Sequence, residues 1–162
     1  MKKVLLHKDE IYSEDIFQIL IDYEIIRSIR YPNPISLICL ESTPHPSDMK
    51  TNRSAFSVFE RALNSSLRSV DIPTRLGTVY LILLPMTNEA GAHVVCERLL
   101  SIFENKFETK EGKFVKFSLQ IGFASHGGGP TLAREILLQT AEAGLQQSHI
   151  KGANTSVTIS NR

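Results

Sequence analysis

The residues most often used in catalysis are thinly spread along this chain. Residues 127–129 are three consecutive glycines that follow a strand-like segment and precede a helix-like one, which is where a phosphate-binding loop would lie. They lack the spacing and the Lys-Ser/Thr pair by which such a loop holds phosphate oxygens. We therefore favour a flexible turn with Pro130 at the start of a helix.

The histidines and serines give no stronger signal. The five histidines occur singly, and none stands at metal-ligand spacing with a supporting cysteine or carboxylate, so no zinc site is expected. No serine lies in a nucleophile-elbow pattern. The histidines are His7, His45, His93, His126 and His149.

Composition excludes several classes of function. The 162 residues carry 18 basic and 17 acidic side chains, so no charge surplus favours binding to nucleic acid or to an anionic membrane. The apolar runs are far shorter than a membrane span. Cys39 and Cys96 both lie in apolar runs and do not make a disulfide framework, which predicts a reducing, cytoplasmic environment.

The elements that must position any site follow from the spacing of apolar residues. The order is helix, strand, helix, hairpin, helix, strand, helix, strand, which predicts one α/β sheet packed by helices. Helices are predicted at 13–29, 56–68, 88–102 and 133–151, strands at 35–40, 74–76, 79–84, 114–124 and 156–159, and a loop at 42–53. The apolar face of the first helix is predicted to comprise Ile16, Ile19, Leu20, Tyr23 and Ile26.

Several segments in this order resemble the GGDEF family, the diguanylate cyclases that condense two GTP molecules into cyclic di-GMP. The resemblance covers nearly the whole chain, through residues 24–27, 34–37, 87–99, 118–124, 141–145 and 151–154. It implies an α/β sandwich like the palm of nucleotide cyclases, with a five-stranded mixed sheet surrounded by helices. Residues 1–12 would be an N-terminal extension and residues 13–162 a degenerate GGDEF domain.

The signature motif of that family is altered here. In its place the chain has Gly77-Thr78-Val79-Tyr80, one residue short and without acids. Two divalent cations need carboxylate oxygens to neutralise a triphosphate, and neither Thr78 nor Val79 supplies one. The only remnant of the metal site is Glu41, at the end of the first core strand, where an aspartate is expected.

Other functional segments of the family are replaced as well. Pro44-His45-Pro46 stands where the resemblance implies guanine contacts, and His149 and Ala153 stand at the positions of a phosphate-binding lysine and arginine. The resemblance therefore implies a domain without catalytic residues, bound metal or required cofactor, which is not an active cyclase.

The family's inhibitory, product-binding site is retained in its pattern. Arg68-Ser69-Val70-Asp71 matches an Arg-x-x-Asp motif five residues ahead of Gly77, and Arg98 matches a second arginine on the next helix. A guanidinium can donate to guanine O6 and N7 and meet phosphate oxygens, and a carboxylate can accept from guanine N1 and N2. The ligand implied is cyclic di-GMP. The alternative is an exposed Arg68–Asp71 ion pair at a helix end with no function.

These observations leave three functional hypotheses. The first is an inactive GGDEF-like receptor that binds cyclic di-GMP and signals to a partner protein. The second is a ligand-independent interaction module of the same fold, and the third, less favoured, is a residual diguanylate cyclase using Glu41. Because the chain has no room for a sensor or effector domain, we expect a protein partner or a homodimer.

Overall fold

The computed structural model describes residues 10–46, 48 and 52–159, which form four helices and six strands. The helices are α1 (Glu14–Arg30), α2 (Arg53–Ser65), α3 (Glu89–Ile102) and α4 (Arg134–Lys151). The strands are β1 (Ile35–His45), β2 (Ile72–Leu76), β3 (Val79–Pro85), β4 (Phe107–Glu108), β5 (Phe114–His126) and β6 (Thr155–Thr158). Residues 1–9, most of the predicted N-terminal extension, lie outside the described residues.

One sheet carries the fold, with strand order β2-β3-β1-β5-β4 and β6 beside β5. Strand β1 pairs antiparallel with both β3 and β5, and β5 pairs parallel with β6. The first six residues of β1 are fully buried, as its continuous apolar run predicts for a central strand. The predicted α/β class with a mixed sheet is confirmed, with six strands rather than five because the two-residue β4 adds to one edge.

Helices cover both faces of the sheet, because alternate residues of each strand point to opposite sides. One core lies under α2 and α3 and includes Ile38, Leu40, Phe59, Leu99 and Phe117. The other lies under α1 and α4 and includes Phe17, Ile21, Leu37, Cys39 and Leu145. The predicted inward face of β5 is confirmed, since its alternating apolar residues from Val115 to Phe123 all lie in the first core.

The predicted loop at 42–53 is wrong in its first part, because β1 continues to His45. Beyond Glu41, which pairs with Val79, the strand has β5 on one side and no ladder to β3 on the other. Pro44 is compatible with this position, since a strand with one unpaired edge tolerates a residue that has no N–H.

The predicted apolar face of α1 is also wrong in part. Ile19, Tyr23 and Ile26 are exposed, whereas the buried face is formed by a different set of residues. That set is Phe17, Ile21, Ile25 and Ser28. The helix is apolar on two sides, so helical spacing alone does not identify the side that packs on the sheet.

The two cysteines are buried and not joined to each other. Burial raises the pKa of the Cys39 thiol to about 12 and also raises that of Cys96, so neither is a ready nucleophile. Within the described part of the chain, no helix is both long and apolar enough to cross a membrane.

Two glycines allow α4 to lie directly on β5. A Cβ built on Gly122 would lie 1.9 Å from the backbone nitrogen of Leu145 and 2.3 Å from the carbonyl oxygen of Ala141. A Cβ on Gly144 would lie 2.8 Å from the carbonyl oxygen of Val157. Because these neighbours are backbone atoms, they cannot move aside as a flexible side chain would.

We predict that Gly122→Ala lowers the free energy of unfolding by about 1–3 kcal/mol, because the added methyl must push α4 away from the sheet. Urea denaturation measures the change. The matched control is Gly127→Ala, where nothing lies within 4 Å of the new Cβ. Equal stability of the two variants would contradict the close packing of α4 on β5.

Candidate functional site

The Arg-x-x-Asp motif lies in the turn between α2 and β2, where its carboxylate is buried. The Asp71 side chain has 0% exposure. Its Oδ2 accepts a hydrogen bond from the backbone N–H of Arg68 at 2.8 Å, and its Oδ1 accepts one from Nη2 of the same arginine at 2.8 Å. Both oxygens are therefore bonded within the turn.

The Arg68 guanidinium also joins this turn to the one between β3 and α3. Its Nη2 donates to the carbonyl oxygen of Pro85 at 3.0 Å and lies 2.7 Å from Oγ1 of Thr87. The Thr87 hydroxyl donates to the same carbonyl at 3.0 Å. The arginine side chain nevertheless keeps 46% of its surface exposed, so it is anchored on one side and open on the other.

Arg68 and Arg98 line the same surface groove, of about 370 Å³. The groove also contains Met86, whose φ of 55° turns the backbone sharply after β3, and the exposed Val94 of α3. Asp71 does not line it. The structure therefore brings the two predicted arginines together and places the predicted carboxylate behind Arg68.

The segment 77–80 forms a tight hairpin between β2 and β3. Leu76 pairs with Val79, so Gly77 and Thr78 are the two residues of the turn. Gly77 has a φ of 62°, a left-handed conformation that a two-residue hairpin requires and glycine adopts without strain. The turn presents the hydroxyl of Thr78 and no carboxylate.

Glu41 lies next to this hairpin and is already paired. It stands opposite Val79 in the ladder, and both the glutamate and the hairpin border a cleft of about 700 Å³. Its Oε2 lies 2.9 Å from Nε2 of His149. The two positions at which the family resemblance implies a metal ligand and a phosphate ligand thus contact each other.

Tyr80, the last residue of the segment 77–80, has a structural role. Its hydroxyl donates to Oε1 of Glu60 at 3.1 Å, and the same oxygen lies 3.3 Å from the guanidinium of Arg75. Burial, followed by the charge of Glu60, raises the pKa of the Tyr80 phenol, so it stays protonated. The guanidinium of Arg75 also lies 5.3 Å from the ring centre of Phe56.

The donor set of this cleft does not fit the divalent cations that a cyclase uses. Among the residues that the structure describes, no three His, Cys, Asp or Glu side chains come together to hold a metal ion. Glu41 is the one acid among the described residues that line this cleft, and it pairs with His149. Mg²⁺ in nucleotide sites is held by one or two carboxylates together with waters and phosphate oxygens.

Comparisons with known proteins identify the fold. No protein-family model matches the sequence, and no curated protein matches it. Among solved structures, the GGDEF domain of YfiN (TpbB) from Pseudomonas aeruginosa is similar, with a TM-score of 0.78 at 16% identity, over 94% of this chain and 99% of that one. The chain therefore has the fold of GGDEF domains.

Two further structures share this fold. The GGDEF domain of DgcB from Caulobacter crescentus, solved in complex with cyclic di-GMP, has a TM-score of 0.76 at 13% identity, over 97% of this chain and 96% of that one. The diguanylate cyclase SiaD from P. aeruginosa, solved in complex with its activator SiaC, has a TM-score of 0.77 at 19% identity. The match to SiaD covers 94% of this chain and 60% of SiaD.

Sequence reasoning missed two parts of the site. Thr87 anchors Arg68, but a lone threonine after a strand carries no signal of that role. The burial of Asp71 was also missed, although the Asp71-Ile72-Pro73 sequence at the start of β2 is compatible with an acid that caps its own turn.

We predict that Asp71→Asn lowers the free energy of unfolding by about 1–3 kcal/mol. The reason is that the buried carboxylate accepts hydrogen bonds from the backbone N–H, Nε and Nη2 of Arg68, and the neutral amide accepts them more weakly. The measurement is urea denaturation at neutral pH. Asp22→Asn is the control, since Asp22 pairs with Arg134 on the surface and such pairs contribute about 0–1 kcal/mol. Equal losses in the two variants would show that Asp71 is not a structural anchor.

Proposed function

We propose that this chain is a GGDEF-fold domain that binds cyclic di-GMP in the groove between Arg68 and Arg98 and does not synthesise it. The observation that carries the proposal is the convergence of these two arginines. They come from the α2–β2 turn and from α3, and they line one groove. Two guanidinium groups beside one groove match a ligand with two phosphates and two guanines.

The chemistry of the groove suits such a ligand. An arginine can donate two parallel hydrogen bonds to guanine O6 and N7 or to phosphate oxygens, and it can stack on a purine ring. Met86 and Val94 add exposed apolar surface against which a base can pack. The complex of DgcB with cyclic di-GMP supports the proposal by showing that a domain of this fold is compatible with that ligand.

In the proposed function, Asp71 positions the guanidinium of Arg68 and does not itself contact the ligand. Because the carboxylate has no exposed surface, it reaches the ligand only if Arg68 turns away from it. In the observed arrangement it orients the guanidinium, as do Pro85 and Thr87, and thereby lowers the entropy that Arg68 would lose on binding.

The lack of synthesis is proposed from the cleft at the hairpin. Gly77 and Thr78 supply no carboxylate, and Glu41 is engaged with His149. No other acid is among the described residues that line the cleft, so no unpaired carboxylate is available there to hold the cations that neutralise a triphosphate. We expect GTP and Mg²⁺, incubated with the full chain, to yield neither cyclic di-GMP nor pyrophosphate. Product formation would contradict the inactivity.

The binding proposal is tested by isothermal titration calorimetry with cyclic di-GMP. We predict that Arg98→Ala weakens binding at least about tenfold, because a charged hydrogen-bond donor to the ligand contributes about 1.5–3 kcal/mol. Arg98 is exposed, so its loss should leave stability unchanged. Arg75→Ala is the control for the loss of an arginine as such, because Arg75 lines the cleft beside Glu41 and not the groove of Arg68 and Arg98.

No heat of binding from the wild-type chain at tens of micromolar ligand would overturn the receptor proposal. Equal affinity of the wild type and Arg98→Ala would show that any binding occurs outside this groove.

A ligand-independent interaction module is the second candidate. It is favoured by the anchoring of Arg68 to Asp71, Pro85 and Thr87, which gives the motif a structural purpose without a nucleotide. The complex of SiaD with SiaC supports a protein partner for this fold. This candidate predicts that Arg68→Ala destabilises the domain and that cyclic di-GMP has no effect on its unfolding.

A further inference from the structure

Helix α1 carries a second apolar stripe on the side that faces away from the sheet. Ile19, Tyr23 and Ile26 are 69%, 56% and 65% exposed. They recur at i, i+4 and i+7, the spacing of one helix face, and the opposite face is the one packed in the core. Scattered exposed apolar residues are common, but a continuous stripe of three large ones marks an interaction surface.

The charges of the same helix indicate what covers this stripe. Glu14 and Asp15 lie in the first turn of α1, and Arg27 and Arg30 lie in its last turn. Two copies of the helix packed antiparallel would place each acidic end beside a basic end. Packed parallel, they would place like charges together, which is unfavourable. The helix is thus electrostatically complementary to itself in one orientation.

A single register satisfies both the apolar and the charged pairs. When Ile19 lies opposite the partner's Ile26, Asp15 lies opposite the partner's Arg30, because both pairs share a midpoint between Asp22 and Tyr23. An axis through that point makes the contact the same for both copies, as a two-fold dimer requires. Asp15 is exposed and makes no ion pair with any other residue that the structure describes.

We propose that the outer face of α1, formed by Ile19, Tyr23 and Ile26, is a self-association surface on which a second copy of this chain docks antiparallel. One helix face buries less than the roughly 800 Å² per partner of a standard interface, so the dimer is concentration-dependent. None of Ile19, Tyr23 and Ile26 lines the groove of Arg68 and Arg98, so the two surfaces use different residues.

Sedimentation equilibrium of the full chain, from low micromolar to several hundred micromolar, tests whether the apolar stripe of α1 forms the dimer contact. We expect a reversible monomer–dimer equilibrium that Ile26→Glu weakens at least about tenfold. Ile150→Glu is the matched control, since Ile150 is a 78% exposed isoleucine on α4. A wild type that stays monomeric throughout, or equal weakening by both variants, would overturn the proposal.

The antiparallel register is tested by charge reversal in the same measurement. Asp15→Arg and Arg30→Asp should each weaken the dimer several-fold, because each places like charges together across the interface. The double variant should regain most of the wild-type affinity. Circular dichroism establishes that every variant is folded. Additive weakening in the folded double variant would exclude this register and overturn the antiparallel arrangement.

Discussion

The buried carboxylate of Asp71 is the constraint on which the groove depends. A carboxylate without contact to water must have its charge compensated, and Arg68 does so through its backbone N–H and its guanidinium. The guanidinium then bonds to Pro85 and Thr87, so one ion pair joins the end of α2 to the start of α3. The hydroxyl of Ser36 in β1 also donates a hydrogen bond to the carbonyl oxygen of Thr87 at 2.8 Å, which connects the turn before α3 to the central strand.

This anchoring shows how one pair of residues can stabilise the fold and, in the proposed function, also recognise the ligand. Arg68 is held on the side that faces Asp71 and is open on the side that faces the groove, where Arg98 and Val94 of α3 stand nearby. The motif is therefore useful to the fold whether or not a ligand binds. Next to the hairpin, Glu41 makes an internal contact with His149.

The sequence predicted the architecture where physical signals are local and strong. The apolar run of β1 predicted a central buried strand, and the alternation from Val115 to Phe123 predicted one inward face. It failed where the outcome depends on tertiary partners. Pro44 favoured a loop, but pairing with β5 extends the strand, and α1 has two apolar sides between which periodicity cannot choose. At the site, the family resemblance indicated the arginines, but the burial of Asp71 depends on how the turn packs.

In the proposed function, cyclic di-GMP occupies the groove shared by Arg68 and Arg98. Titration of the isotopically labelled chain with cyclic di-GMP, followed by amide NMR shifts, locates the bound ligand. The largest shifts are expected around Met86, Val94 and Arg98. Shifts confined to Gly77, Thr78 and Glu41, or no shifts at all, would exclude binding in this groove.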